Sequence, residues 1–175
     1  MHRPTTSDMF VPFESLPPSS RVWVYQSSRL LSAEEQQQLI SGLREFVSTW
    51  TAHQAGLKGS AQILNGVFVI VAIDEGHNHA TGCSIDKSVH FMKSAGVCLG
   101  IDFFDRMTAV CQNPDGTLMF VKASAVAGLI GSGALSLQAK VFNTLISDLN
   151  ALTTEWMVPI QSSWLANFLP SEKST

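Results

Sequence analysis

The sequence predicts an α+β fold, with a single, mostly antiparallel sheet of four to five strands and helices packed on one face. Three observations carry that expectation. Val67 to Ile73 is a continuous apolar run, the signature of a central strand buried on both faces. Asn113-Pro114-Asp115-Gly116 is a strong turn signal between two short apolar segments and implies a hairpin. The elements, taken in order, read β-α-β-α-β-β-α-α, which mixes an α/β half with that hairpin.

Residues 1–20 hold Pro17-Pro18 and Ser19-Ser20 and are expected to form an arm, docked through Phe10, Val11 and Phe13. A single domain is expected over residues 21–169, followed by a disordered tail at 170–175. Arg21-Val22-Trp23-Val24-Tyr25-Gln26 is β-branched and aromatic and reads as a strand. Ser32 followed by Glu35 fits a capping box. Leu39, Ile40, Leu43, Phe46, Val47 and Trp50 then recur at helical spacing, which predicts a helix from Ala33 to about Thr51. Trp50 and His53 mark its far end.

Asn65-Gly66 is a turn before the central strand, and Asp74 to His79 form the loop after it. Ser84 is the expected N-cap of a second helix running to about Gly96, with Ile85, Val89, Phe91 and Met92 as its apolar stripe. A third strand is centred near residues 106–111 and a fourth covers Leu118-Met119-Phe120-Val121. Ala123 to Ile130 reads as a short helix with Gly131 or Gly133 at its C-cap. Val141, Leu145, Leu149 and Leu152 have helical spacing, although Lys140 to Asn143 also fits a short edge strand. Pro159 is the expected stop, and Trp164, Phe168 and Leu169 an apolar tail cluster.

Several blocks occur together: Phe13-Glu14-Ser15-Leu16-Pro17, Ser20 to Ser27, Ser48 to His53, Gly82 to Phe91, Phe104-Asp105-Arg106, Val141-Phe142-Asn143 and Ser163-Trp164. Through them the chain resembles a bacterial family of small proteins often labelled "ABC transporter ATPase". The resemblance runs from about residue 13 to 168, with Gly82–Phe91 its specific block, and it brings no reaction of its own. ATP hydrolysis of that kind needs a phosphate-cradling G-x-x-x-x-G-K-[ST] loop. The nearest segment, Gly128-Leu129-Ile130-Gly131-Ser132-Gly133-Ala134-Leu135, has glycines but no lysine after them. A glycine-rich helix end is the better reading, and the ATPase label is unsupported.

Composition narrows the function. Charged residues make up 14% of the chain, low against roughly 25% for average globular chains. A weakly charged surface suits self-association as a homo-oligomer, and it equally suits a large core under a Ser/Thr/Gln-rich surface. Net charge is −3 and the eleven Lys and Arg are scattered, so nucleic acid is not an expected partner. The three cysteines, Cys83, Cys98 and Cys111, are an odd number without C-x-x-C, which points to reduced thiols in the cytoplasm. No secretory h-region is visible, and the longest uncharged run, Ala123 to Ala139, is short of a membrane span.

The densest chemistry lies in Cys83–His90. On a helix, Asp86 and His90 share a face, and a carboxylate there would fix the imidazole tautomer. Lys87 and Ser88 stand beside them, and Cys83 is expected just before the helix N-terminus, which favours anions and thiolates. The expected site therefore comprises Ser84, Lys87, Trp50, His53 and Asp74 as ligand-binding residues, with Cys83, Asp86 and His90 as catalytic candidates. The competing and preferred reading is a Ser84-capped helix with Asp86 in its first turn, a local Asp86–His90 pair and a buried Cys83. His77, His79 and Cys83 are zinc-competent types, but three residues in one loop without a second cluster read as a solvated loop. No metal and no cofactor is expected. Asp105-Arg106 reads as a structural ion pair. The functional expectation is a cytoplasmic α+β domain that self-associates and binds a partner or a small anionic ligand. The alternative is an enzyme with a Cys/His/Asp pocket at the N-terminus of the 84–96 helix.

Overall fold

The central apolar run becomes strand β5, Phe68–Ile73, and all six of its residues are buried. In the computed structural model, which describes residues 9–76 and 78–171, contacts divide the chain into two compact units. The first spans the chain to Phe104 together with Leu145–Thr154, and the second spans Asp105–Thr144 and the chain from Glu155. The sequence reading has one domain over 21–169 where the contacts form these two units.

The class is α+β, but the single sheet is corrected to three antiparallel sheets of three, two and four strands. The first unit holds β1 (Arg21–Gln26), α1 (Ala33–Thr49), the short pair β2 (Thr51–Ala52) and β3 (Ala55–Gly56), β4 (Gly59–Leu64), β5 and α2 (Gly82–Leu99). Its main sheet has the order β1-β5-β4. Strand β4 has no counterpart in the sequence reading. Its first residues, Gly59, Ser60 and Ala61, carry no β-branched or aromatic signal, yet all are buried. Gly59 is needed for closeness, since a Cβ there would fall 2.5 Å from the Ala72 carbonyl oxygen on β5. The β4–β5 connection turns at Asn65 and Gly66, with φ of 56° and 63°, the geometry of a type I′ hairpin turn. The arm docks on the outer side of β4, where Val11 N–H donates to the Gly59 carbonyl at 3.0 Å.

Pairing sets Trp23 opposite Val71 and Tyr25 opposite Val69, so these side chains share one face of the sheet. The helices α1 and α2 cover that face, and Leu39, Leu43, Val47, Met92, Val69, Val71 and Ile73 form its core. Helix α1 has the expected cap: the Ser32 hydroxyl accepts from Glu35 N–H and the Glu35 carboxylate accepts from Ser32 N–H. Helix α2 corrects the expected one. Its N-cap is Thr81 and it runs to Leu99, so Ser84 lies inside the first turn and Cys83 belongs to the helix rather than preceding it. Ser84 takes the role usually filled by Glu in a capping box, accepting from Thr81 N–H at 2.7 Å.

The second unit has the sheet order β7-β6-β8-β9, from β6 (Thr108–Gln112), β7 (Leu118–Lys122), β8 (Lys140–Phe142) and β9 (Met157–Pro159). The β6–β7 hairpin is as expected, with Gly116 at φ 88° in its turn. The Ala123–Ile130 helix resolves into a 3₁₀ turn, Ala123–Ala125, and α3, Val126–Gly131. The expected helix through Val141 and Leu145 is corrected: Val141 lies in β8, which is flanked by β6 and β9 and is not an edge. Only Leu149–Thr154 is helical there, as α4 of the first unit, and Pro159 ends a strand rather than a helix. Asp105 makes no ion pair with Arg106; its carboxylate caps the backbone by accepting from Met107 N–H and the Thr108 hydroxyl.

Candidate functional site

The site is built on the crossing of two helices that both rest on the β1-β5-β4 face. Helix α1 ends at Trp50, whose backbone N–H closes the last turn on the Val47 carbonyl. Trp50 is 2% exposed. Its indole N–H donates to the Ser84 carbonyl at 2.7 Å, which ties the end of α1 to the first turn of α2. Four aromatic rings continue this tie. Trp23 meets Trp50 edge-on at 5.8 Å between centroids, Phe46 lies 5.1 Å from Trp50, and Phe46 stacks on Phe91 at 5.0 Å. On the other side Arg21 sits over Trp23 at 4.9 Å and reaches Glu75 at 3.4 Å.

Above these rings runs a groove of about 570 Å³, lined by Phe46, Thr49 and Trp50 of α1 and its cap and by Cys83, Asp86, Lys87, His90, Phe91 and Ser94 of α2. Five residues singled out from the sequence therefore meet in one groove: Trp50, Cys83, Asp86, Lys87 and His90. Helical geometry explains the grouping, because Cys83, Lys87 and Phe91 form one i, i+4 row and Asp86, His90 and Ser94 the next. Among the described residues no hydrogen bond or ion pair links Cys83, Asp86 and His90, so the expected Asp86–His90 pair is not formed. Cys83 is exposed.

The other expected residues lie elsewhere. Ser84 is 1% exposed and spends its hydroxyl on the cap of α2, accepting from Thr81 N–H and donating to the Thr81 carbonyl at 2.8 Å. His53 is exposed in the turn between β2 and β3, at φ 48°, outside the groove lining. Asp74 accepts from Gly76 N–H at 3.0 Å and braces the loop after β5. His79 faces Glu75 at 3.9 Å, and His77 lies outside the described residues. Among the described residues no group of three or more His, Cys, Asp or Glu is placed to hold a metal ion. Four lining residues were absent from the sequence-level site: Phe46, Thr49, Phe91 and Ser94. In the sequence Phe46 and Phe91 read only as core positions of helical stripes. Their signal is the i, i+4 relation of Phe46 to Trp50 and of Phe91 to Lys87.

Beneath α2, the Tyr25 hydroxyl and the Ser88 hydroxyl lie 3.2 Å apart in a buried pair. Burial raises the Tyr25 pKa, and the Ser88 contact offsets part of that rise. This pair fastens the helix to β1 and takes no part in the groove. The Gly128–Leu135 segment lies in the second unit as a glycine-rich helix end, but the C-cap is Ser132 rather than Gly131 or Gly133: Gly131 is the last residue of α3 and Gly133 follows the cap at φ 77°. Among the described residues no helix is long and apolar enough to cross a membrane.

No family model, curated protein or solved structure matches the chain.

Proposed function

We propose that the chain binds a small ligand with a planar apolar body and an anionic group in the groove between α1 and α2. The observation that carries this reading is the groove's lining. Aromatic rings from Phe46, Trp50 and Phe91 form one side, and the Lys87 ammonium stands in the first turns of α2 beside Cys83. Ligand sites commonly pair an apolar wall with a few polar groups that orient the ligand. Lys87 supplies a cation, and the helix N-terminus favours negative charge at the same end. The Asp86 carboxylate on the next row would select against a second anionic group near the rim.

The anionic aromatic dye 8-anilinonaphthalene-1-sulfonate serves as probe with the native full-length chain. Saturable fluorescence at one site is expected. Lys87→Met should weaken it roughly tenfold, the value of one charge-assisted contact. Phe91→Ala should weaken it as well. Dye binding that is unchanged in both variants would refute the reading.

A second reading, an enzyme with Cys83 as nucleophile and His90 or the Asp86–His90 pair as acid–base group, is favoured by one observation: the three side chains share the groove wall. The missing hydrogen bonds among them weigh against it in the unliganded chain.

A further inference from the structure

The groove does not end at Phe91. A second hollow of about 250 Å³ follows it along the same two helices, between Gln38, Leu39 and Gly42 of α1 and Ala95, Cys98 and Leu99 of α2. Phe91 and Ser94 line both hollows. Gly42 lets the Phe91 ring lie against α1, since a Cβ there would stand 3.3 Å from Phe91 Cζ. The same ring stacks on Phe46 at 5.0 Å between centroids. Aromatic surface therefore runs from Trp50 through Phe46 to Phe91, and Phe91 carries it into the second hollow.

The two hollows differ in polarity. The first holds Asp86, Lys87 and His90 beside its rings. Among the described residues that line the second, none is charged. Leu39 is buried there, Gly42, Ala95 and Leu99 are half-buried, and Gln38, Ser94 and Cys98 stand at the exposed rim. An ionised group in the second hollow would lose hydration without meeting an opposite charge, whereas an apolar chain would remove apolar surface from water.

Resting on the ligand reading of the first hollow, we infer that the ligand is an aromatic acid extended by an apolar chain. The acid group meets Lys87, the ring lies along Trp50, Phe46 and Phe91, and the chain occupies the second hollow. Lys87 lies one turn before Phe91 on the same helical row, and the second hollow lies beyond Phe91, so acid and chain leave the ring on opposite sides. Helix geometry sets the length. Leu99 ends α2 about 12 Å beyond Phe91, at some 1.5 Å per residue. An extended chain of about eight carbons has nearly that reach, given C–C bonds of about 1.5 Å.

The test is isothermal titration calorimetry of the full chain with para-ethyl-, para-butyl-, para-hexyl- and para-octylbenzoate, each below its aggregation concentration. Far-UV circular dichroism confirms that each variant is folded. A fully buried methylene strengthens binding about fourfold, and a chain in an open hollow buries roughly half its surface, so about twofold per methylene is expected. The octyl compound should therefore bind roughly tenfold more tightly than the butyl one. Ala95→Leu fills the second hollow, and Gln38→Glu sets a carboxylate at its rim without changing side-chain size; each should remove most of that gain. Lys87→Met should weaken every member roughly tenfold and keep the gain. Equal affinity across the series would overturn the inference, yet leave the ligand reading standing if Lys87→Met still weakens binding. A gain that survives both Ala95→Leu and Gln38→Glu would overturn it, because the chain would lie elsewhere. Indifference to Lys87→Met would overturn it as well, because the acid group would not be at that end. Binding of no member would also overturn it, with the anilinonaphthalene dye deciding the ligand reading separately.

Discussion

Trp50→Phe tests the tie between α1 and α2 directly. The substitution keeps an aromatic ring among Trp23 and Phe46 but deletes the N–H that donates to the Ser84 carbonyl at 2.7 Å. A helical carbonyl in the first turn also accepts from the amide four residues on, so Ser84 is not orphaned, and the lost bond costs about 1 kcal/mol. Trp50 is 2% exposed, so the smaller ring leaves unfilled space, which adds roughly 1–2 kcal/mol. For a chain of this size each kcal/mol moves Tm by roughly 2–4 °C, so a fall of about 5–10 °C is expected in a thermal melt followed by circular dichroism. The groove should loosen too, since the same side chain holds the start of α2 in place, and dye binding at Lys87 should weaken in parallel. A fall under about 2 °C would mean that the indole bond and its packing do not hold the helix pair, and the site would lose its stated scaffold.

Two further expectations concern titration and access. The Arg29 guanidinium grips Glu35 with two contacts of 2.8 and 2.7 Å, and this, helped by Ser32 N–H, pulls the carboxyl from its ordinary 4.5 to about 2. A folded-state value below the unfolded one gives stability that is complete above about 4.5 and is lost as pH falls toward about 2. Arg29→Met should therefore flatten the acid limb of a stability–pH curve in that window, and an unchanged limb would refute the linkage. Cys111 is buried, which pushes its thiol up to about 11, while Cys83 and Cys98 are exposed. With dithionitrobenzoate, Cys83 and Cys98 should react in the native chain and Cys111 only on unfolding. Prompt reaction of Cys111 would contradict its burial.

How far the sequence reveals the fold depends on which signal an element carries. Strand β5 is legible because all six of its residues are apolar, and α1 because a serine cap and helical spacing agree. Strand β4 is not, because close approach to β5 selects Gly59, Ser60 and Ala61, small residues with little strand propensity. The three-sheet division is hidden for a related reason. Hairpins are local, whereas the β6–β8 pairing joins Cys111 to Val141 across α3, and nothing local encodes it. Val141, Leu145 and Leu149 match a helix in spacing, yet Val141 packs in β8 against Ala109 and Cys111 of its sheet, and tertiary contacts override the period.

The candidate site was legible in part, for a reason set by helix geometry. Between Thr81 and His90 the chain offers three hydroxyls, a thiol, a carboxylate, an amine and an imidazole, and a linear reading counts them together. The helix separates them by face. Ser84 and Ser88 turn inward, where one caps α2 and the other meets Tyr25, so both are spent on structure. Cys83, Asp86, Lys87 and His90 turn outward onto the groove. What gives these four a chemical setting is the aromatic wall from Phe46, Trp50 and Phe91, brought alongside by an α1 that lies more than thirty positions earlier in the sequence. The inward serines and the outward groups are interdependent: the buried hydroxyls and the Trp50–Ser84 bond fix the rotation of α2, and that rotation decides which polar side chains reach the groove.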